Sequence, residues 1–240
     1  MITALRLTAV VGSLLLASCG AAQKVAPTDK AAVEKIVRDY ILSHPEIIPE
    51  AINGMQSRDV AKLLRDNRTE VETPFPGAVA GNPSGDVTLV EFFDYACPYC
   101  RAAHLDIKRL VAADPKLRVV YRDFPVLTAG SAEAALAALS AAKQGRYAAF
   151  HDRVFETGGK IEHERIVALV RAAGLDERRT ASDLASPALK AEIKKNLDLG
   201  RALGLTGTPS FVIGDRILSG AVGYDKLATA VTAVRGKSKS

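Results

Sequence analysis

A Cys-Pro-Tyr-Cys motif at residues 97–100 carries most of the chemistry in this 240-residue chain. It follows a β-rich run over 87–93 and opens a helical stretch that extends to about residue 113. The first backbone N–H groups of a helix have no intrahelical partners and the helix dipole favours negative charge, so this position stabilises the thiolate of Cys97. Cys100, one turn later, can attack a mixed disulfide formed at Cys97. The spacing therefore predicts a redox-active dithiol.

Two other uses of the cysteine pair are an inert disulfide and a metal site. An inert disulfide is disfavoured because the helix start stabilises the reduced, charged form of Cys97. A structural zinc ion takes four ligands, and the chain has no second cysteine pair to complete such a site. His104, one turn past Cys100, could join the two cysteines in a three-ligand site for a soft metal such as Cu(I). A copper-binding protein of the cell envelope is therefore the alternative to a redox protein.

Glu91 and the Thr208-Pro209 pair are the other candidate site residues. Glu91 lies six residues before Cys97, in an apolar run where burying a carboxylate is costly unless it has a task. Proton exchange with Cys100 is such a task, and a strand-edge glutamate in water is the alternative. Pro209 precedes a returning strand, where the residues alone favour a trans bond in a turn and leave a cis bond as the alternative. A cis bond across from Cys97 would offer the Thr208 backbone to an extended substrate strand.

The elements that position these residues predict an α/β domain over about 80–235. The strand patterns lie at 87–93, 117–124, 210–213 and 216–219. The first two strands and the helix between them predict a parallel crossover unit, and a Gly-Asp turn joins the last two into a hairpin. Ala-rich helices without a convincing strand fill residues 131–203, and a last helix covers 224–234. Asp94 is expected in the loop that precedes the motif.

Residues 28–72 predict an N-terminal helical arm. Apolar residues recur on one stripe at helical spacing, and a His-Pro pair at 44–45 separates two helical stretches. A lone helix in water is marginal, so this stripe needs a partner, either the main domain or another copy of the arm. Clusters of Pro and Gly between about 72 and 86 separate the arm from the main domain.

The first 18 residues have the layout of a secretory signal peptide, with one charge at Arg6 and an apolar run too short to span a bilayer. The run ends in Leu-Ala-Ser before Cys19, which resembles the bacterial lipobox, where the cysteine is lipidated. The resemblance implies a lipoprotein facing the periplasm, with Gly20 implying outer-membrane sorting and 19–27 serving as a tether. Lipidation would leave the other two cysteines as a pair in an oxidising compartment. The alternative is an unmodified Cys19 beside a standard cleavage site.

Composition disfavours several classes of protein. Hydrophobic residues make up 48% and charged residues 25% of the chain, which argues against a disordered protein. No apolar stretch reaches the roughly 18–20 residues that span a bilayer, so an integral transporter or channel is not expected. The formal net charge is +5, and three of the positive charges lie in the last six residues. A surface that follows nucleic-acid phosphates is therefore not expected either.

Taken together, the motifs resemble those of the DsbA family of thioredoxin-fold disulfide oxidoreductases. The resemblance covers about residues 80–235 and rests on Glu-Phe-Phe-Asp-Tyr-Ala-Cys-Pro-Tyr-Cys at 91–100, a helical insertion, and Gly-Thr-Pro-Ser-Phe at 207–211. It implies a thioredoxin fold with an inserted all-helical subdomain at about 130–204. The site residues that it implies are Cys97 as nucleophile, Cys100 as resolving thiol, Glu91 as buried acid and Pro209 in a cis bond.

Within that family, Tyr-Ile-Leu-Ser-His-Pro-Glu-Ile-Ile at 40–48, together with Tyr99, resembles the suppressor-of-copper-sensitivity C (ScsC) and Com1-like branch. In that branch the N-terminal extension can assemble subunits, which implies a homo-oligomer formed through residues 28–70. Histidine in place of Tyr99 would resemble the strongly oxidising members.

The sequence therefore predicts a lipid-anchored, periplasm-facing thiol-disulfide oxidoreductase that acts on exported proteins as an oxidase or an isomerase. No organic cofactor or metal is expected, because the disulfide itself carries the two electrons. The expected partners are exported proteins that contain cysteines and a membrane redox partner that restores the disulfide.

Overall fold

The computed structural model describes residues 30–237. The chain divides between Ala51 and Ile52 into two units. The predicted signal peptide, Cys19 and the tether lie outside the described residues, so their roles stay predictions.

Across residues 30–237 the secondary structure consists of ten helices and five strands. The helices are α1 (Lys30–Ser43), α2 (Ile47–Asp66), α3 (Arg68–Glu72), α4 (Pro98–Ala113), α5 (Ala129–Lys143), α6 (Tyr147–Thr157), α7 (His163–Ala172), α8 (Glu177–Leu184), α9 (Pro187–Ala202) and α10 (Tyr224–Lys237). The strands are β1 (Val79–Gly81), β2 (Val87–Phe93), β3 (Leu117–Asp123), β4 (Ser210–Ile213) and β5 (Arg216–Ser219).

A five-stranded mixed sheet in the order β1-β3-β2-β4-β5 is the framework of the second unit. β2 lies at its centre, parallel to β3 and antiparallel to β4, while β1 and β5 are antiparallel edge strands. Helices cover both faces of the sheet, which is why a nearly continuous apolar run such as β2 is stable at the centre. Because β2 and β3 are parallel, their carboxyl ends meet at one edge, where the Cys-Pro-Tyr-Cys motif begins.

Alternating side chains of the central strands enter two separate cores. The larger core packs one sheet face against α4, α10 and helices α5 to α7, and its β2 members are Val87, Leu89 and Phe93. The smaller core packs the opposite face, through Val90 and Phe92, against α2, α3 and α9. Glu91 stands between Leu89 and Phe93 in the alternation, so it shares the face that α4 covers.

Helix α4 positions the Cys-Pro-Tyr-Cys motif because the helix begins inside the motif, at Pro98. Cys97 is the N-cap residue with extended backbone angles, φ −80° and ψ 119°, and Pro98 occupies the first helical position, where a missing N–H costs nothing. The buried side of the helix follows a spacing of three and four residues, and it consists of Cys100, Ala103, His104, Ile107 and Leu110. Packing of this stripe against the sheet fixes the rotation of the helix, so Cys100 faces inward.

In the first unit, α1 buries none of its residues. Its apolar side chains Val33, Ile36, Val37 and Tyr40 are all exposed. None of the helices within residues 30–237 is long and apolar enough to cross a membrane.

The structure confirms the predicted α/β fold class, with a thioredoxin-type sheet, a helical insertion and a helical N-terminal segment. The strand predicted at 117–124 is β3, which ends one residue earlier. The helix predicted to end near residue 113 is α4, and the helix predicted to begin at residue 224 is α10. The strand patterns in the sequence do not include β1, which has only three residues and pairs with β3 through Val79 and Val120. Its Pro- and Gly-rich neighbours made this segment resemble a plain boundary.

Candidate active site

The two cysteines of the motif are buried free thiols at the carboxyl end of β2. Cys97 is 5% exposed and Cys100 is fully buried, so Cys97 is the thiol that a large partner can reach. The Cys97 backbone N–H donates to the Asp94 carbonyl at 3.0 Å, and its carbonyl accepts from Arg101 N–H at 3.2 Å. These bonds fix Cys97 at the helix start, where the free N–H groups and the dipole favour negative charge.

The Thr208 carbonyl lies directly opposite Cys97. The Cys97 thiol donates to it at a distance of 3.3 Å, because β4 pairs with β2 and brings the segment before β4 to the same edge of the sheet. The Thr208–Pro209 peptide bond is cis. The trans bond favoured by the residues alone is therefore wrong, and the cis bond implied by the family resemblance is confirmed.

Glu91 is a buried acid on the central strand. Its register partners are Tyr121 on β3 and Phe211 on β4, and its side chain is 1% exposed, so the alternative of a strand-edge glutamate in water is wrong. Burial, and secondarily the negative charge of a Cys97 thiolate, raises the pKa of Glu91 from 4.5 to about 8. At neutral pH the carboxyl group can therefore carry a proton beneath the dithiol.

Cys100 is chemically distinct from Cys97 because it is enclosed. Burial first, and then the charge of Glu91, raises the pKa of the Cys100 thiol well above its ordinary value. The Asp94 backbone and Thr208 offset part of this effect by hydrogen bonding. A Cys100 thiolate therefore needs a nearby group that exchanges its proton, and Glu91 interacts with it electrostatically across the same core.

His104 lies on the buried face of α4, and its ring contacts Phe155 and His151 with centroids 5.3 Å away in each case. Its Nε2 is 3.4 Å from an Asp152 carboxylate oxygen, and burial lowers the pKa of the ring. No group of three His, Cys, Asp or Glu side chains within residues 30–237 is arranged to hold a metal ion. The three ligands of the copper alternative, Cys97, Cys100 and His104, are therefore not assembled as a site.

A buried aromatic cluster supports the segment before the motif. The Tyr95 hydroxyl is hydrogen-bonded to Nδ1 of His151 at 3.0 Å, and the His151 ring lies 4.3 Å from the Tyr121 ring between centroids. Burial lowers the pKa of His151 well below its usual range, so the ring stays neutral. This contact ties the residue two positions before Cys97 to α6.

Asp94 belongs to the site, although its position in the sequence predicts only a loop residue. Its side chain is 1% exposed and accepts hydrogen bonds from three backbone N–H groups, those of Ala96 at 2.7 Å, Val126 at 2.9 Å and Leu127 at 3.0 Å. An Asp that bonds the N–H two residues later is a common local pattern, so the Ala96 bond had a sequence signal. The bonds to residues 32 and 33 positions away had none.

Comparison with known proteins places this architecture among disulfide-exchange folds. The DSBA-like thioredoxin domain family matches residues 88–232. The copper resistance protein ScsC N-terminal domain matches residues 29–62.

Two solved structures are similar over most of their own length. One is a thioredoxin-like oxidoreductase from Silicibacter pomeroyi, with 45% identity and a TM-score of 0.64, covering 66% of this chain and 91% of that one. The other is a Proteus mirabilis ScsC variant with a linker deletion, with 29% identity and a TM-score of 0.71, covering 89% of this chain and 99% of that one.

Among curated relatives, the Na(+)/H(+) antiporter NhaA of Herminiimonas arsenicoxydans is 35% identical over 163 residues. The match takes in 67% of this chain but only 25% of the antiporter, so the chain spans about a quarter of that relative's length. The family match covers more than half of the chain and includes the dithiol, the buried Glu91 and the cis Pro209. The chain therefore belongs to the DSBA-like thioredoxin domain family.

Proposed function

We propose that this protein is a thiol-disulfide oxidoreductase of the bacterial periplasm that exchanges disulfides with exported proteins. The proposal is carried by the arrangement of the two cysteines. Cys97 lies at the start of α4, with its thiol 3.3 Å from the Thr208 carbonyl, and Cys100 is enclosed behind it. An outer thiol that a partner can reach and an inner thiol that it cannot are the requirements of two-step exchange. Family membership supports the same activity.

The reaction begins from the Cys97–Cys100 disulfide. A substrate thiolate attacks the Cys97 sulfur, a substrate–Cys97 bond forms, and the internal bond breaks with its electron pair leaving on Cys100. A second substrate thiolate then attacks the substrate sulfur of the mixed disulfide and Cys97 leaves as a thiolate. The substrate has lost two electrons and the protein's dithiol has gained them, so a membrane redox partner is needed to restore the disulfide. An isomerase starts instead from the reduced dithiol and returns to it.

Glu91 acts in this scheme as the proton donor and acceptor for Cys100. The raised pKa of the buried Cys100 thiol makes its thiolate a poor leaving group unless a proton arrives as the internal bond breaks. Glu91 can hold such a proton, because burial, the larger of the two causes, raises its pKa above the ordinary carboxyl value. In the reverse direction the Glu91 carboxylate removes the proton so that Cys100 can attack.

Thr208 and Pro209 serve substrate binding rather than electron transfer. The Thr208 carbonyl already accepts from the Cys97 thiol, so it lies beside the sulfur at which the mixed disulfide would form. An extended substrate strand would pair with the Thr208 backbone while its cysteine reacts. The exchange needs no cofactor, because the cysteine sulfurs carry both electrons.

Residues 28–70 are proposed to assemble copies of the chain. α1 exposes its apolar stripe, including Ile36 at 68% and Tyr40 at 55% exposure, and such a stripe is stable in water when a second helix covers it. The match of residues 29–62 to the ScsC N-terminal domain supports the resemblance from which this assembly is proposed. Assembly would place several dithiols near one substrate, which favours isomerase over simple oxidase activity.

The proposed location is the periplasmic face of the outer membrane, with a lipid on Cys19 as the membrane attachment. The lipobox-like residues before Cys19 support it. Disulfides form and persist in an oxidising compartment, which agrees with an exported protein.

The function is tested on ribonuclease with a soluble form, residues 20–240, in a glutathione buffer. Reactivation of scrambled ribonuclease that declines when residues 28–51, which lie outside the second unit, are also removed is the result expected of an assembled isomerase. Rapid oxidation of reduced ribonuclease without reshuffling would assign the oxidase direction. Absence of both reactions, with both cysteines intact, would contradict the proposed function.

A further inference from the structure

The loop from Phe124 to Thr128, between β3 and α5, presents two exposed apolar side chains beside the dithiol. Val126 is 47% and Leu127 is 52% exposed, although both belong to residue types that are usually buried. The loop follows β3, whose carboxyl end meets that of β2, so it lies at the same sheet edge as Cys97.

Every backbone N–H group of this loop has a fixed acceptor. Phe124 N–H donates to the Phe93 carbonyl at 2.8 Å, and Thr128 N–H donates to the Ser131 hydroxyl at 3.2 Å as part of a capping box. Pro125 has no N–H. The loop therefore holds its exposed apolar side chains on a fixed backbone.

The remaining two N–H groups, those of Val126 and Leu127, donate to one oxygen of the Asp94 carboxylate, at 2.9 and 3.0 Å. The other oxygen accepts from Ala96 N–H at 2.7 Å, next to Cys97. Asp94 is 1% exposed, and a buried carboxylate is stable only where hydrogen bonds replace its hydration. A single side chain thus fixes the apolar loop relative to the reactive thiol.

We propose that Asp94 is a positioning residue for substrate selection. It holds Val126 and Leu127 as a preformed apolar contact for a polypeptide whose reacting cysteine has an apolar neighbour. A contact that is already ordered costs less conformational entropy on binding than a mobile loop would. The inference rests on the proposed disulfide exchange and adds the substrate class that this site prefers.

The test uses the reduced full-length protein and two disulfide-linked peptides that differ only in a leucine or a serine beside the cysteine, with glutathione disulfide as a third probe. In each reaction Cys97 attacks one sulfur and releases one thiol, and Cys100 then displaces the second thiol as the internal disulfide forms. The wild-type protein is expected to oxidise faster with the leucine peptide than with the serine peptide. Burying one such side chain corresponds to a preference of about tenfold.

Asp94→Asn is the informative variant, because only one of its two terminal atoms, the oxygen, can accept, so either Ala96 N–H or the N–H groups of Val126 and Leu127 lose their acceptor and the link between loop and thiol is broken. It is expected to remove most of the roughly tenfold leucine preference. Val126→Ser with Leu127→Ser should remove the same preference, and adding Asp94→Asn to that pair should change it no further. Retention of the preference in Asp94→Asn, or in the double serine variant, would overturn the proposal.

Hydrogen exchange of the wild-type protein covers the case in which Asp94→Asn does not fold. The amides of Val126 and Leu127 should exchange at least about 100-fold more slowly than unprotected amides. Unprotected exchange at both would overturn the positioning role. Failure of the proposed function would be distinguishable, because the wild-type protein would then react with none of the three disulfides.

Discussion

Glu91 shows how one residue ties stability to chemistry. The side chain lies in the central strand with a folded-state pKa of about 8, while an unfolded chain would ionise it near the ordinary value of 4.5. Between these two values the unfolded state releases a proton that the folded state keeps, so the stability contribution of Glu91 is lost as pH rises. Burying the Glu91 carboxyl group lowers the stability of the folded protein, which is expected of a group that has a chemical role at the site.

Glu91→Gln should therefore stabilise the reduced protein at pH 7 by up to about 3 kcal/mol, since the penalty spans about 2.5 pH units. The gain should vanish near pH 4, where both states of the wild-type carboxyl group are protonated. Urea unfolding of both proteins at the two pH values measures the difference. The exposed control Glu50→Gln should stay within about 0.5 kcal/mol of the wild type. An equal gain at both pH values would contradict the raised pKa of Glu91.

The same substitution should slow the attack of Cys100 on a mixed disulfide at Cys97. Loss of the proton acceptor is expected to reduce the rate at least tenfold near pH 7, roughly the lower range for general acid–base catalysis. The measurement is the release of thiol from a preformed mixed disulfide over pH 5–9. The wild-type rate should rise through an inflection above the ordinary carboxyl pKa, because burial of Glu91 persists in the mixed disulfide, and Glu91→Gln should lack it; an unchanged pH profile would assign Glu91 a structural role only.

At the scale of elements, α9 and the end of β3 approach closely at Gly200. A Cβ atom there would lie 2.4 Å from Cε2 and 2.9 Å from Cζ of Phe124, the first residue of the apolar loop. Phe124 in turn packs edge-on against Phe92, with ring centroids 6.0 Å apart. The glycine is therefore required by the contact between helix and ring.

Gly200→Ala should destabilise the protein by about 1–3 kcal/mol because the ring must move out of a packed core. Gly54→Ala is the matched control, since it is also helical and a Cβ there would meet nothing within 4 Å. The control should gain roughly 0.5–1 kcal/mol from higher helix propensity. Thermal or urea unfolding of the two variants compares them, and stabilisation by both would contradict the close packing of α9.

The elements also show how far the sequence alone could predict this site. The spacing of the motif put Cys97 and Cys100 on one helix start, and the apolar run put Glu91 in a central strand, because both depend on local pattern. The bonds of Asp94 to Val126 and Leu127 could not be predicted, since they exist only once β2 and β3 pair in parallel. The cis bond required the family resemblance, because local turn chemistry favours trans.

At the scale of the whole molecule, the arm decides how many dithiols act together. Removal of residues 28–51, which keeps the core residue Leu64, should convert an oligomer to a monomer of the remaining chain, because the exposed stripe of α1 would no longer be present. Sedimentation equilibrium of the soluble form with and without these residues gives the mass of each assembly. A wild-type monomer, or an unchanged number of subunits after the deletion, would contradict assembly through the arm.

The most direct measurement is capture of substrates by Cys100→Ser in the periplasm, with the double variant Cys97→Ser/Cys100→Ser as control. Without Cys100 a mixed disulfide at Cys97 cannot be resolved from within the protein, so exported proteins should accumulate on Cys97 as adducts that reductant releases. The control should carry none. Adducts absent from Cys100→Ser, or equally abundant on the control, would contradict protein disulfide exchange through Cys97.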